Sequence, residues 1–578
     1  FCTLLKYISN DSLALVRYTH PPQASFFPLY YWSLIHSSMT STATSASLKS
    51  PCSPLTREAM QHHKVSQGFF IDLLTEYRGI LICIFLLPIS VALNVFGWVR
   101  LHLMTLRSNA DGHSKRVQEI SNAVKEAGKS EQKLCTDRPG YATMSLKGEA
   151  HKRGHKKIPM KSLLVDIIDI DTRNLTVRVE PLVNMGQLSR YLVPRGYTLQ
   201  VTPELDELTV GGLLMGFGIE SSSHVFGLFQ EICVEYEVVL GDGRVVCARA
   251  DNEYSDLFFA LPWSYGTLGL IVGATLKICP CKPYVAVTYR RYDSLSSLST
   301  AFKEASCKAT PSQFVEGLAY SLNSGVIMEA NFCDTPKMRG ATFNNIGLWF
   351  KKWFYVHVLE VVDGKKEGEA VVEIMPLRAY YHRHTKGIFW EMQYIIPFAD
   401  QAWFRYLFGW AVPPNIPLMK STQTAAMKKL WREQFVVQDM LVPISELEKM
   451  MLYMDKKLRI YPMWLCPHLV VRHEQGGMLK PSSHSPASDK TEMYVDIGIY
   501  GVPGIQPYRH MEEMRALEAK VREAEGYQGL YAVCYMDKKE FREMFHHDLY
   551  DVCREKYGAV ARFPDVFDKA GGTGLKLQ

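Results

Sequence analysis

Thr209-Val-Gly-Gly-Leu-Leu-Met-Gly-Phe-Gly-Ile-Glu-Ser221 is the stretch on which the reading of this chain turns. Its glycines at 211, 212, 216 and 218 let a backbone approach a ligand closely, and N–H groups exposed in such a loop can form a nest for a diphosphate. The spacing is neither G-x-G-x-x-G after a strand nor a glycine loop closed by lysine, so the two common phosphate motifs are absent. On spacing alone a tight structural turn and a ligand loop stand equally.

The flanks show what the stretch is embedded in. Upstream, Val117 to Ala127 has the spacing of an amphipathic helix. Leu163 to Ile170 and Leu175 to Val179 read as strands joined by the turn Asp171-Thr172-Arg173-Asn174, and Met185 to Val193 reads as a helix stopped near Pro194 and Gly196. Downstream, Val234 to Leu240 and Arg244 to Ala248 flank Gly241-Asp242-Gly243, a strong hairpin signal. Beyond Pro280 the composition shifts toward aromatic and helical segments, and Gly476 to Lys490 is expected to be a mobile loop. No internal repeat is found.

With 578 residues the chain exceeds one hydrophobic core, so two or more domains are expected. Hydrophobic residues make up 47% and charged residues 21%, which excludes disorder as the main state. A mean hydropathy of -0.08 is too low for a multi-span membrane protein. A net charge of +6, without a basic stripe, gives nucleic-acid binding no support. Thirteen cysteines, an odd and scattered set, lack zinc-site or disulfide-framework spacing, so no metal and a reducing compartment are expected. Cys279 and Cys281, flanking Pro280, are read as structural.

Before the globular part, Gly79 to Val99 runs GILICIFLLPISVALNVFGWV without a charge, long enough to cross a bilayer as a helix. A secretory signal is the alternative, but the run is too long for a signal core and no clean cleavage site follows. Pro88 should kink it. Arg100, Arg107, Lys115 and Arg116 follow the run while Arg78 and Lys64 precede it, which places the body on the cytosolic side by the positive-inside rule. The first methionine is Met39, so residues 1–38 are set aside as preceding the expected start, and the Ser/Thr-rich residues 37–54 are expected to be disordered.

Val177-Arg-Val-Glu-Pro181, Met185-Gly-Gln-Leu188, the Thr209 stretch, Tyr236 to Gly243, Asp256-Leu-Phe-Phe259 and Gly266-Thr-Leu-Gly269 occur in the order seen in FAD-binding domains of the vanillyl-alcohol oxidase (PCMH) type. Within that group the chain resembles the delta(24)-sterol reductases. The likeness rests on Pro203-Glu-Leu-Asp-Glu-Leu-Thr-Val-Gly-Gly212, Gly218-Ile-Glu-Ser-Ser-Ser-His224, Tyr380-Tyr-His-Arg-His-Thr385, Val436-Val-Gln-Asp-Met-Leu-Val-Pro443 and Tyr461-Pro-Met-Trp-Leu-Cys-Pro467, and covers residues 115 to 570. It implies an α+β fold: an N-terminal extension (1–78), a membrane anchor (79–99), a two-subdomain FAD-binding domain (111–280), an α+β substrate domain (281–526) and a C-terminal segment (527–578) returning to the flavin. It further implies FAD and NADPH as cofactors, a sterol as substrate and reduction of its side-chain double bond. The location implied is the endoplasmic reticulum membrane, crossed once, with other sterol-pathway enzymes or a second copy as possible partners.

Candidate flavin contacts are Thr209, Val210, Gly211, Gly212, Leu213, Leu214, Met215, Gly216, Phe217, Gly218, Ile219, Glu220 and Ser221, with Arg138, Gly140 and Ser145 for the diphosphate. Many relatives in the wider group attach FAD through a histidine in Arg-Ser-Gly-Gly-His. Here Cys135 to Ser145 stands in that place without one, so the flavin is expected to be noncovalent. An unpolarised alkene is most easily reduced by protonation of the less substituted carbon and hydride addition to the resulting cation, which requires a proton donor and aromatic faces. Candidates for the acid are Tyr380, His382 and His384, read as a strand with both histidines on one face, and Asp496. Each can also be read as a buried hydrogen-bonding group. Lys556 is the candidate for stabilising reduced flavin, with a surface lysine as the alternative. Two other functions stay open: a flavin oxidase or dehydrogenase of another small substrate, and a sterol-binding protein without activity.

Overall fold

The computed structural model describes residues 77–106, 112–143, 152–160, 164–423, 428, 431 and 433–572. The expectations for Met39, for residues 37–54 and for Ser145 fall outside these residues.

The chain is α+β. A parallel pair, β1 (Leu134–Thr136) and β2 (Lys156–Ile158), precedes the first sheet. That sheet contains β3 (Ile167–Asp171), β4 (Thr176–Val179), β5 (Tyr197–Leu199), β6 (Cys233–Val239), β7 (Val245–Ala248) and β8 (Leu270–Pro280), in the order β3-β4-β8-β6-β7 with β5 also on β8. Asp171 closes the β3–β4 turn by accepting from the N–H groups of Arg173 and Asn174 (2.9 and 3.0 Å). Gly243, at φ 84°, closes the β6–β7 hairpin, where a Cβ would lie 2.5 Å from Lys125. The first five residues of β8 are all buried, as its apolar run requires of a central strand.

The helix α1 (Gly112–Ala127) lays His113, Val117, Ile120 and Val124 on this sheet, one stripe at helical spacing. His113 sits between Glu180 (2.7 Å) and Glu237 (2.8 Å) and fastens the helix start. Next, α2 (Met185–Leu192) is capped by Asn184, which accepts from Gln187 N–H (2.8 Å). The central stretch of the sequence is not an open loop: α3 (Val210–Met215) winds its first part into a short helix ended by Gly216.

The second sheet has nine strands: β9 (Tyr284–Tyr292), β10 (Phe314–Ser321), β11 (Ser324–Cys333), β12 (Ala341–Phe343), β13 (Ala370–Pro376), β14 (Val436–Pro443), β15 (Met463–Val471), β16 (Thr491–Gly501) and β17 (Tyr527–Gln528). Their order is β12-β13-β9-β11-β10-β15-β16-β14-β17, antiparallel except at β12–β13. All eight residues of β14 are buried. The strand expected at Tyr380 to Thr385 is instead α4 (Leu377–Tyr381) and a turn, because the chain leaves the sheet at Pro376. His382 and His384 therefore share no strand face. Gly476 to Lys490, expected to be mobile, is fastened: Met478 is buried, Lys480 N–H donates to Tyr527 Oη (2.9 Å) and Ser482 N–H to Glu492 (2.6 Å).

Two peripheral elements complete the architecture. Arg78 to Leu106 is helical, with a π segment at Ile82–Leu86 just ahead of Pro88, where a wider turn relieves the clash of the ring with the preceding carbonyls. Arg78–Gly97 within it is long and apolar enough to cross a membrane. At the other end, α6 (Asp548–Lys556), which follows α5 (Ala402–Phe408) in the chain, returns to the first sheet. Arg554 donates to the carbonyls of Thr267 (2.9 Å), Phe563 (3.1 Å) and Pro564 (2.9 Å).

Candidate active site

A cavity of about 1270 Å³ lies between the two sheets and reaches the apolar helix. Single small-molecule sites usually occupy roughly 300–1,000 Å³, so this one has room for more than one ligand. Its first wall is α3 and the residues after it. Thr209, Gly211, Gly212, Leu213, Met215, Gly216, Phe217, Gly218 and Ile219 line it. Val210 and Leu214, four residues apart on one helix face, point into the core, and Glu220 and Ser221 turn into the junction between the sheets. These four candidates lie off the cavity.

The same end is rich in cations that sequence order does not connect. Arg138 donates to Thr209 Oγ1 (3.0 Å) and the Ala142 carbonyl (2.8 Å), beside Gly140. Lys152 donates to the Thr136 carbonyl (3.0 Å), Lys420 to that of Thr143 (2.7 Å), and Lys569 to that of Tyr265. Burial pushes Lys420 and Lys569 down to about 8. Glu204 lines the wall too, but burial and the neighbouring Glu220 hold it well above the carboxylate range. Gly212 is open to the space: a Cβ built there meets only Thr209 Oγ1, at 3.1 Å. A bare helix turn ringed by four cations fits a dianionic diphosphate.

Another part of the wall is aromatic. Phe389 lies 5.0 Å from Trp464 and 5.2 Å from Tyr500, ring centre to ring centre, and all three line the cavity. Tyr500 Oη donates to Asp439 Oδ1 at 2.5 Å. Gly498, opposite Asp439 across the β14–β16 pair, makes this possible, since a Cβ there would fall 2.4 Å from the Tyr500 oxygen. Burial raises Asp439 to about 6 against the hydrogen bonds it accepts, and raises Glu391, also on the wall, to about 7.

The sequence-stretch candidates for catalysis lie elsewhere. His382, between Ser189 Oγ (2.7 Å) and the Glu204 carbonyl (3.0 Å), is held neutral by burial, which lowers it to about 4. Burial also lowers His384. Tyr380 lies under Arg383, 4.3 Å from ring centre to guanidinium. Asp496 is buried behind Asp439, and burial with that neighbouring charge raises it well above the usual range. Lys556 is half exposed, paired with Asp256 at 2.7 Å on the outer surface; Lys569 is the tail lysine at the cavity. None of the five lines the cavity.

Behind the aromatic wall Arg383 bridges the two halves. It donates to Glu316 Oε1 (2.7 Å) from the second sheet and Glu220 Oε1 (3.0 Å) beyond α3, with no exposure of the three side chains. Glu316 also accepts from Trp464 Nε1 (3.0 Å), so the pair orients a cavity ring. Removing one partner of a buried pair costs about 3–5 kcal/mol. Arg383→Met is expected to lower stability by about that much in denaturant titration. Arg383→Met with Glu316→Gln and Glu220→Gln, which removes the stranded charges, should recover part of it.

Residues 114–249 match the FAD binding domain family, so fold and site together define an FAD-binding flavoprotein. The matched residues hold most of α1, Arg138, Lys152 and the whole of α3, while Lys420 and Lys569 come from beyond them. The chain belongs to the delta(24)-sterol reductase family. It is 44% identical over 500 residues to the Delta(24)-sterol reductases of Macaca fascicularis and Homo sapiens, covering 86% of this chain and 94% of each. To that of Arabidopsis thaliana it is 36% identical over 528 residues, 87% of this chain and 92% of the relative. A D-arabinono-1,4-lactone oxidase of Eremothecium gossypii is 35% identical over 112 residues, 19% of this chain.

Proposed function

We propose that this chain is an NADPH-dependent FAD enzyme that saturates the Δ24 side-chain double bond of a sterol, held at the endoplasmic reticulum membrane by its apolar helix with the body on the cytosolic side. The observation that carries the reading is one cavity whose wall combines a cation-ringed glycine turn with an aromatic, acid-bearing stretch.

Arg138, Lys152, Lys420 and Lys569 would hold the diphosphate of FAD against α3, noncovalently. When bound, FAD supplies hydride that it has taken from NADPH. The chain's own residues must do the rest. Phe389, Trp464 and Tyr500 exclude water from the sterol side chain and present ring faces to positive charge developing on the tertiary carbon. Asp439, whose Oδ1 accepts from the Tyr500 hydroxyl, is the acid that passes a proton to the less substituted alkene carbon.

The test is direct. Membranes carrying the chain, supplied with NADPH, FAD and a Δ24-unsaturated sterol, are expected to give a product heavier by two hydrogens in mass spectrometry. An unchanged sterol, under conditions where a known reductase works, overturns the assignment. Anaerobic stopped-flow mixing separates the oxidase reading, which requires flavin reduction by a small alcohol in place of NADPH.

A further inference from the structure

The apolar helix touches the body along most of its length. Gly79 lies against Phe398 and Pro397, where a Cβ would come within 3.2 and 3.3 Å. Leu87 and Ser90 are buried, Asn415 N–H donates to Ser90 Oγ (2.9 Å), and Asn415 Nδ2 donates to Asn94 Oδ1 (2.9 Å). From Gly79 to Asn94 is about 22 Å of helix at 1.5 Å per residue, within the 20-residue apolar run. A bilayer core is only about 30 Å thick. If the helix crossed it upright, the body around Asn415, with its polar backbone, would be dragged through most of that core.

The exposed surface suggests another arrangement. The outward face of the helix shows Ile84, Phe85, Ile89 and Phe96, each more than half exposed. Beside it the body shows a second apolar face on and just after α5: Trp403, Tyr406, Leu407, Phe408 and Trp410, exposed by 44 to 64%. The two faces are joined, because Phe398, packed on Gly79, stacks on Trp403 at 5.9 Å, and the turn Gly409–Ala411 lies against the helix. Contiguous apolar surface of this size is foreign to a protein face in water. Tryptophan and tyrosine concentrated at its edge are the residues of a bilayer interface.

We propose that the apolar helix and the 403–410 face form one surface seated in a single leaflet, so that the helix lies along the membrane without crossing it. This goes beyond the sterol reading and does not depend on it. One consequence concerns the cavity: Leu81, Ile82 and Leu86 of the helix form part of its wall, so its mouth opens within the leaflet and an apolar ligand reaches it without passing through water.

Two measurements on the full chain in sealed phosphatidylcholine vesicles, body outward, test this. With dibrominated acyl chains, Trp403→Phe combined with Trp410→Phe should lose lipid-quenchable tryptophan emission equal to about the share of two emitters; unchanged quenching overturns the seating of this face. An epitope inserted after Gln67 should be cut by added protease from the same side as the body. Protection of that epitope overturns the single-leaflet arrangement and restores a crossing helix.

Discussion

Gly212→Trp is expected to abolish flavin binding, and with it all sterol reduction, while the protein still folds. The two halves of that expectation have separate grounds. Gly212 lies on α3 with an open side: a Cβ there meets only Thr209 Oγ1 within 4 Å, at 3.1 Å. An indole therefore projects into the cavity and fills the cradle between α3 and the ring of cations, without displacing core side chains. Gly218 is the contrast. A Cβ at that position would lie 2.8 Å from Phe229 and 2.9 Å from Leu213, so Gly218→Ala overpacks the protein itself and should cost about 1–3 kcal/mol of stability. Purified Gly212→Trp should be colourless and melt close to the flavin-free unaltered chain, whereas Gly218→Ala should melt lower than the unaltered chain compared in the same flavin state. A Gly212→Trp protein that stays yellow and turns over sterol would show that the flavin lies elsewhere.

Local chemistry made much of the fold legible. The Asp171 and Gly243 turns, the α1 stripe and the Asn184 cap each act within a few residues, so their signals are in the sequence next to the structure they make. The candidate site was legible only where it is local. The glycines marked α3, but not that Gly212 faces the cavity while Val210 and Leu214 face the core, because that depends on which side of a short helix meets the sheet. Tyr380, His382 and His384 looked like donors because ionisable groups near aromatics suggest chemistry. Burial instead keeps both histidines neutral, and Pro376 takes the segment out of the sheet. Lys152, Lys420 and Lys569 converge from positions hundreds of residues apart, and no spacing rule announces that. Asp439 and Asp496 look alike in sequence, each a carboxylate among apolar strand neighbours. What separates them is Gly498, whose missing side chain lets Tyr500 reach Asp439 at the cavity wall.

That distinction leads to the second large effect: Asp439→Asn is expected to lower kcat by about 10²–10⁴-fold, the usual worth of a positioned general acid. Asparagine keeps the shape and can still accept from Tyr500, but it has no proton to give. Flavin content should therefore stay normal and the loss should fall on kcat more than on KM. Tyr500→Phe should be milder, since it removes one neighbour of the acid and not the acid. The pH behaviour separates Asp439 from a structural carboxylate. An acid must be protonated to act, so kcat/KM should fall as pH rises through about 6, the value to which burial raises Asp439, and Asp439→Asn should flatten that limb. Stability should move in the same direction. The folded value of about 6 lies above the ordinary 3.8, so the folded protein holds an extra proton between the two. That contribution is complete below 3.8 and is lost as pH climbs through about 6. Denaturant titrations at pH 4 and pH 7 should thus differ less in Asp439→Asn than in the unaltered chain. If Asp439→Asn reduced sterol at an undiminished rate, Asp439 would not be the acid, and Glu391, another carboxyl on the cavity wall that burial raises, to about 7, would be the next donor to test, by Glu391→Gln.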